Sequence, residues 1–192
     1  RLCQRIEAQF NGALGGETYT LSFWAKTPSS GAISSIYFSQ DNFASGARTD
    51  TQVASSTITL SSSWTKYTFT GTFPSISGKT LQSSTYASVE FYVASGTQTV
   101  DIAQVQLEPG SVATPFERRS FESERLLCQR YYEKSYPLDV APGTNTGDAN
   151  AAIMYVAINN SDFYTFGTFR FMQTKRAIPT VTMYNPVTGQ SG

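Results

Sequence analysis

From residue 17 to residue 108, apolar and polar side chains alternate with a period of two. In 18–26, Tyr19, Leu21, Phe23 and Ala25 fall on one face and Thr20, Ser22, Trp24 and Lys26 on the other, the signature of a strand with one buried face. Segment 33–40 predicts a second strand, with Ile36 and Phe38 pointing inward. Ile58 and Leu60 predict the first arm of a hairpin, turned by Ser61, Ser62 and Ser63 and returned by 64–73. On that return Tyr67, Phe69 and Phe73 share a parity with Thr65 and Gly71. Segments 89–94 and 99–107 predict two more strands, with a turn at Ser95 and Gly96 between them. The inward parity switches between Ile102 and Val105, which predicts a β-bulge. Residues 2–5 are also strand-like. Strands at this spacing with no helix between them imply a mainly β fold, an antiparallel jelly-roll sandwich.

The texture then changes. Glu108, Pro109 and Gly110 stop the last of these strands, and 115–119 reads as a short extended linker. Segment 121–133 predicts the one good helix of the chain. Ser120 is placed to cap it, Glu122 and Glu124 lie in its first turn, and Arg130 and Lys134 lie near its last, all in the sense that the helix dipole favours. Leu127 and Tyr131 give it a narrow apolar stripe, and Pro137 is expected to end it. A loop rich in Gly, Pro, Asn and Thr follows over 138–150. Three further strands are predicted at 153–158, 164–173 and 181–184. The implied organisation is a jelly roll over 1–117, a linker and connector helix over 118–136, and a smaller β-rich domain over 137–192. The tetrapeptide Leu-Cys-Gln-Arg occurs at 2–5 and again at 127–130, but its surroundings differ, and this is not read as an internal repeat.

Composition sharpens this picture by exclusion. The 192 residues include 24 Ser and 24 Thr but only 15% charged residues, with 14 basic and 14 acidic side chains. Aromatic residues make up 14%, enough for a packed core, and they favour a half-buried pleated surface over helix. The absence of histidine removes imidazole general bases, Ser-His-Asp or Cys-His nucleophiles and His-ligated metals. Two cysteines, Cys3 and Cys128, are too few for a thiolate zinc site and are read as buried or half-buried thiols. Balanced charge gives no electrostatic footprint for nucleic acid. The longest apolar stretches, such as 151–158, fall far short of a membrane span, so no membrane insertion is expected. The expectation is a module that is not an enzyme.

Several segments carry a family resemblance. Residues 1–7 (Arg-Leu-Cys-Gln-Arg-Ile-Glu) with 16–26 (Gly-Glu-Thr-Tyr-Thr-Leu-Ser-Phe-Trp-Ala-Lys), then 63–67 and 101–110, resemble a domain common in bacteriophage tail-fibre and other virion appendage proteins. The resemblance is strongest where Ala113-Thr114-Pro115-Phe116-Glu117-Arg118-Arg119-Ser120 leads into 124–132, and 176–182 is similar to a strand such proteins carry after the helix. It implies an N-terminal jelly roll akin to carbohydrate-binding modules, then a helix, then a C-terminal β domain, within a larger virion protein. In that family pattern more sheet precedes Arg1 and follows Gly192, so the chain is expected to be a fragment. The resemblance further implies a homotrimer located in the virion, with other virion proteins and a host-surface glycan as candidate partners. Virions assemble in reducing cytoplasm, which argues against a Cys3–Cys128 disulfide.

Candidate site residues follow from side-chain chemistry. A sugar needs flat rings for its C–H faces and polar neighbours for its hydroxyls. Trp24 with Thr20, Ser22 and Lys26, Tyr37 with Ser35 and Ser39, and Tyr92 with Glu90 all offer this, so Trp24, Tyr37, Tyr92 and Glu90 are the candidate carbohydrate-binding residues, expected in one shallow groove. The competing reading is that a second sheet or a neighbouring subunit covers these rings. Trp64 is read as plugging the end of the sandwich. Asp41, Asn42 and Asp50 could supply oxygens to Ca²⁺, although Asx residues in loops commonly form local turns instead. Glu90 and Asp101, on strands read as neighbours, are the only pair considered for glycoside hydrolysis, and no third feature supports it. Arg118, Arg119, Arg125 and Arg130 are interleaved with acids, which suggests a salt-bridged helix surface or a subunit interface involving Arg125, Tyr131 and Tyr132. Three functions stay open: a virion binding module, a spacer or attachment domain without ligand, and a carbohydrate-binding accessory domain of a bacterial secreted protein.

Overall fold

The computed structural model describes residues 1–7, 14–29, 31–96, 98–145, 170–185 and 188–191. The chain divides into two compact units, Arg1–Glu117 and Arg118–Gly192. The first unit holds eight strands among the described residues: β1 (Leu2–Glu7), β2 (Thr18–Lys26), β3 (Ala32–Asp41), β4 (Thr49–Ala54), β5 (Ile58–Thr59), β6 (Thr65–Thr72), β7 (Tyr86–Val93) and β8 (Asp101–Pro109). They form two antiparallel sheets. One runs β1-β7-β3-β4, with β5 following β4 along the same edge of β3, and the other runs β6-β2-β8. This is the expected mainly β jelly-roll sandwich.

The core lies between the sheets, where the alternating parity places it. Leu21, Phe23 and Ala25 of β2 face Ile33, Ile36 and Phe38 of β3 and Ala87, Val89 and Phe91 of β7, all buried. Aromatic rings bind the layers together. Phe38 stacks on Phe73 at 4.8 Å, and Phe23 meets Phe91 edge-on at 5.0 Å while lying parallel to Tyr67 at 5.6 Å. Gly71 of β6 faces inward between these rings. A Cβ there would stand 2.2 Å from Val53 Cγ1 of β4, so any side chain at this position must displace Val53 from the inter-sheet packing.

The chain passes from sheet to sheet at five of the seven connections between described strands, and two sequence expectations fail for that reason. The 58–60 and 64–73 segments are not hairpin partners: β5 pairs with β3 and β6 with β2. Likewise β7 and β8 lie in different sheets, so Glu90 and Asp101 are not on neighbouring strands. By contrast, the bulge is where the parity switch placed it. Between Ala103 and Gln106 β8 spends three steps against two on β2, and Gln104 takes a φ of 50°. Strand β4 escaped the sequence reading, because its Thr-Asp-Thr-Gln-Val-Ala run offers only Val53 and Ala54 as apolar markers.

After β8 the chain turns back and crosses the outer face of the three-stranded sheet. Thr20 Oγ1 donates to the Gly110 carbonyl at 2.8 Å, Lys66 Nζ to that of Thr114 at 3.3 Å, and Glu117 N to Gln106 Oε1 at 2.8 Å. Glu108 accepts from Thr114 N and Oγ1, and hydrogen bonds from Gln106 and Thr114 hold its carboxyl below the usual range. Segment 110–117 is therefore a strap. It explains why Thr20 and Ser22, on the outward side of β2, are fully buried.

In the second unit, helix α1 spans Phe121–Gln129, with Ser120 Oγ accepting from Ser123 N at 3.2 Å as the expected cap. It is shorter than the predicted 121–133. Arg130 is its C-cap, and Tyr131 N and Tyr132 N both bond the Cys128 carbonyl, so the helix stops well before Pro137. Tyr131 therefore lies past its end, and the Leu127–Tyr131 stripe does not form on one helix. Arg125 pairs with Glu122 at 2.9 Å and Arg119 with Glu124 at 3.4 Å, the salt-bridged surface that was expected. Segment 170–176 is tied to the end of the helix: Lys175 Nζ lies 2.6 Å from Glu133 Oε2, Glu133 accepts Met172 N, and Arg176 N donates to the Arg130 carbonyl. The strand expected at 181–184 does not form. Tyr184 makes a single bridge with Ser191, and a strand needs a continuous partner. The strand expected at 153–158, and 164–169 of the next one, lie outside the described residues, while 170–173 is not strand. Among the described residues no helix is long and apolar enough to cross a membrane.

Candidate functional site

The site lies on the outward face of the five-stranded sheet. There the register of β3 and β7 sets Ser35 opposite Tyr92, Tyr37 opposite Glu90, Ser39 opposite Ser88 and Asp41 opposite Tyr86. On the flanking strands, β1 adds Cys3 beside Glu90 and Arg5 beside Ser88, and β4 adds Gln52 beside Tyr37 and Asp50 beside Ser39. Aromatic side chains thus stand at both ends of a row whose middle is serine. At the Tyr37–Tyr92 end lies an open groove of about 430 Å³, lined by Ser35, Tyr37, Arg48, Asp50 and Tyr92.

Glu90 is the hub under this groove. Its side chain is 1% exposed. Oε2 accepts from Arg48 Nη2 at 3.1 Å, Arg1 Nη1 at 3.2 Å and the Tyr92 hydroxyl at 3.1 Å, and Oε1 accepts from Ser88 Oγ at 3.1 Å. Burial pushes its carboxyl up, but the hydrogen bonds from Arg48, Ser88 and Tyr92 outweigh burial and hold it below the ordinary carboxylate range. Arg48 is correspondingly held protonated, chiefly through Glu90. It lies just before β4, and from there it also donates through Nη2 to Ser39 Oγ at 3.0 Å and through Nε to Asp50 Oδ2 at 3.3 Å. Arg48 and Glu90 lie over Ser39 and Ser88, which are fully buried although they point outward.

The two tyrosines meet edge to face, with centroids 5.5 Å apart and planes at 74°. Tyr92 is fixed by its bond to Glu90, while the Tyr37 hydroxyl has no hydrogen-bond partner among the described residues. Both rings are half-buried. Further along the face, Arg5 lies 4.3 Å over the Tyr86 ring, and the Tyr86 hydroxyl donates to Asp41 Oδ2 at 3.2 Å. Burial, with Asp41 next in weight, raises the Tyr86 phenol.

Of the four sequence candidates for sugar binding, the structure brings together Tyr37, Tyr92 and Glu90. It does not bring Trp24 to them. Trp24 is half-buried on the outward side of β2, between Lys66 and Ala103, in the other sheet, so the single groove containing all three rings does not exist. Parity assigned each ring to the outside of a strand, and only strand order could say which sheet. Glu90 sits beneath the groove, not in it. Arg48 and Asp50 are the groove residues that sequence reasoning missed or placed elsewhere. The sequence groups Asp50 with Asp41 and Asn42 as an oxygen donor to Ca²⁺; in the structure Asp50 pairs with Arg48, Asp41 Oδ1 accepts from Asn42 N at 2.7 Å, and Asn42 Nδ2 donates to the Ser84 carbonyl. Trp64 does not plug the sandwich: it is 44% exposed, with Lys26 Nζ 5.1 Å from its ring. Both cysteines are free, Cys3 half-buried and Cys128 exposed where a shielded thiol was expected. Arg125, Tyr131 and Tyr132, the interface candidates, lie on or just after α1, and both tyrosines are exposed.

No family model matches the chain, and no curated protein matches it. Among solved structures it is similar to a CBM4 carbohydrate-binding module, at 25% identity over 56% of this chain and 59% of that one, with a TM-score of 0.40. It is similar to the N-terminal CBM22-1–CBM22-2 tandem domain of Paenibacillus barcinonensis Xyn10C at 11% identity, covering 57% and 31% with a TM-score of 0.39. It is also similar to the tripod (BppUct-A-L) from the baseplate of bacteriophage Tuc2009 at 22% identity, covering 54% and 39% with a TM-score of 0.31. The chain thus spans less than two thirds of the length of each of these structures, and its fold is established by its own strand order and register.

Proposed function

We propose that the Arg1–Glu117 unit is a glycan-binding module of a phage virion appendage and that it transforms no substrate. The observation that carries this reading is the groove: two tyrosine rings packed edge to face at one end of an outward sheet face, with Arg48, Asp50 and Ser35 beside them. Rings of this kind offer a sugar an apolar platform, and the polar groups beside them can fix its orientation. The chemistry of the carboxylates supports the non-enzymatic reading. Glycoside hydrolysis needs one carboxyl held protonated near neutral pH, whereas Glu90 is held ionised by two guanidinium groups and the Asp50 carboxylate is paired with Arg48. The virion assignment is supported by the tail-fibre resemblance of 101–132.

The exposed apolar side chains of the second unit, Phe121, Leu127, Tyr131 and Tyr132 among them, support a further part of the reading. The appendage assembles from copies of this chain, as a trimer, through a surface that includes Arg125, Tyr131 and Tyr132. A glycan array tests the main claim. The intact chain is expected to bind a defined set of glycans, and Tyr37→Ala with Tyr92→Ala to lose them. An array without hits in the oligomeric chain would leave the spacer reading.

A further inference from the structure

We propose that the groove selects uncharged saccharides, with Arg48 donating to and Asp50 accepting from ligand hydroxyls as a donor–acceptor pair; this inference rests on the glycan reading above. The guanidinium of Arg48 has five N–H donors. Nε is spent on Asp50 Oδ2, and the two on Nη2 are spent on Ser39 and Glu90. Nη1 stands 4.0 Å from Asp41 Oδ2, beyond hydrogen-bond distance. Among the described residues, both Nη1 donors are therefore uncommitted, and so is Asp50 Oδ1. Arg48 and Asp50 line the groove with side chains 31% and 43% exposed. A free donor and a free acceptor lining the same groove fit ligand hydroxyls, each of which both donates and accepts. Three bonds on its other nitrogens hold the guanidinium plane still, so little ordering is needed when a ligand arrives.

The charge of the face decides against an acidic sugar. Three guanidinium groups, those of Arg1, Arg5 and Arg48, stand among four carboxylates, Glu7, Asp41, Asp50 and Glu90. Arg1 and Arg48 both reach Glu90, Arg48 also reaches Asp50, and Arg5 covers Tyr86, which holds Asp41. No excess positive potential is left to draw an anion in. A ligand carboxylate approaching Nη1 would meet the like charge of Asp41, 4.0 Å from that nitrogen, and of Asp50, held on Nε of the same guanidinium.

The test titrates the full chain with three neutral hexasaccharides (gluco-, xylo- and manno-configured) and with hexagalacturonate, at about 0.05 M and about 0.5 M NaCl, a range over which exposed charge interactions are screened. At least one neutral hexasaccharide is expected to bind, with an affinity insensitive to salt, and hexagalacturonate to bind about tenfold more weakly or not at all. Asp50→Asn and Arg48→Lys, each checked for folding by circular dichroism, are each expected to weaken the neutral ligand by about tenfold, the cost of a lost hydrogen bond to a charged group. Tighter, salt-sensitive binding of hexagalacturonate, strengthened by Asp50→Asn, would overturn the inference while leaving the glycan reading in place. Neutral binding unchanged in both variants would overturn the donor–acceptor pair. Failure of every saccharide to bind the folded wild-type chain would remove the glycan reading itself.

Discussion

Glu90 Oε2 on β7 and Arg48 Nη2, just before β4, lie 3.1 Å apart across β3, with the carboxylate almost wholly buried and the guanidinium half-exposed. That one contact ties the loop between β3 and β4 to the middle of the sheet. It also lets a buried acid set the position of a groove residue. Because Arg1, Ser88 and Tyr92 converge on the same carboxylate, Glu90 is a positioning residue.

A pH dependence follows from this contact. The folded-state pKa of Glu90 is depressed, so its stabilising contribution is present above the ordinary glutamate value of about 4.3 and is lost as pH falls through the lower folded value. Urea unfolding measured from neutral pH downward is expected to show this loss. Glu90→Gln is expected to be less stable at pH 7 by about 1–3 kcal/mol and to show a shallower acid limb. An unchanged acid limb in the variant would remove Glu90 from the account.

Closure of the sandwich depends on Gly71. Gly71→Ala places a methyl group against Val53 Cγ1 and is expected to cost about 1–3 kcal/mol through overpacking. Adding Val53→Ala should recover part of that loss, a coupling that a double-mutant cycle in denaturant measures directly.

Much of the sandwich was legible along the chain, and the reason is local. In β2 the parity of Tyr19, Leu21, Phe23 and Ala25 reports burial without reference to anything distant, and the switch before Val105 reports the bulge in the same way. What parity cannot report is which sheet a strand joins. Trp24 and Tyr37 both lie outward, yet they belong to opposite sheets, and Glu90 and Asp101 read as neighbours along the chain but lie in different sheets for the same reason. The candidate site was therefore half visible: Tyr37 and Tyr92 by ring chemistry, Arg48 not at all, since a loop arginine carries no mark of the strand it will reach over. Leu-Cys-Gln-Arg makes the point in miniature, forming part of β1 at 2–5 and the end of α1 at 127–130.

The strap over the three-stranded sheet is expected to depend on Gln106, which accepts from Glu117 N and reaches Thr114 and Pro115. Gln106→Ala should loosen 110–117 and raise amide hydrogen exchange there and at Ser22, with β3 and β7 unaffected. Uniform exchange across both sheets would mean that the strap is not a separate element.

Helix α1 is short, nine residues, and its start rests on Ser120. Ser120→Ala is expected to cost about 1 kcal/mol of helix stability, read as lost helical ellipticity and faster exchange at Ser123. Ser120→Asp, which keeps an acceptor at the cap, should restore both.

The most direct measurement of the central claim is calorimetric titration with the best-bound array glycan, comparing wild type, the double variant Tyr37→Ala/Tyr92→Ala, and Trp24→Ala. If the sugar lies on the five-stranded face, the double variant loses about fivefold or more in affinity, at about 0.5–1.5 kcal/mol per ring, while Trp24→Ala binds as wild type does. Loss of binding in Trp24→Ala with the double variant unaffected would contradict the account.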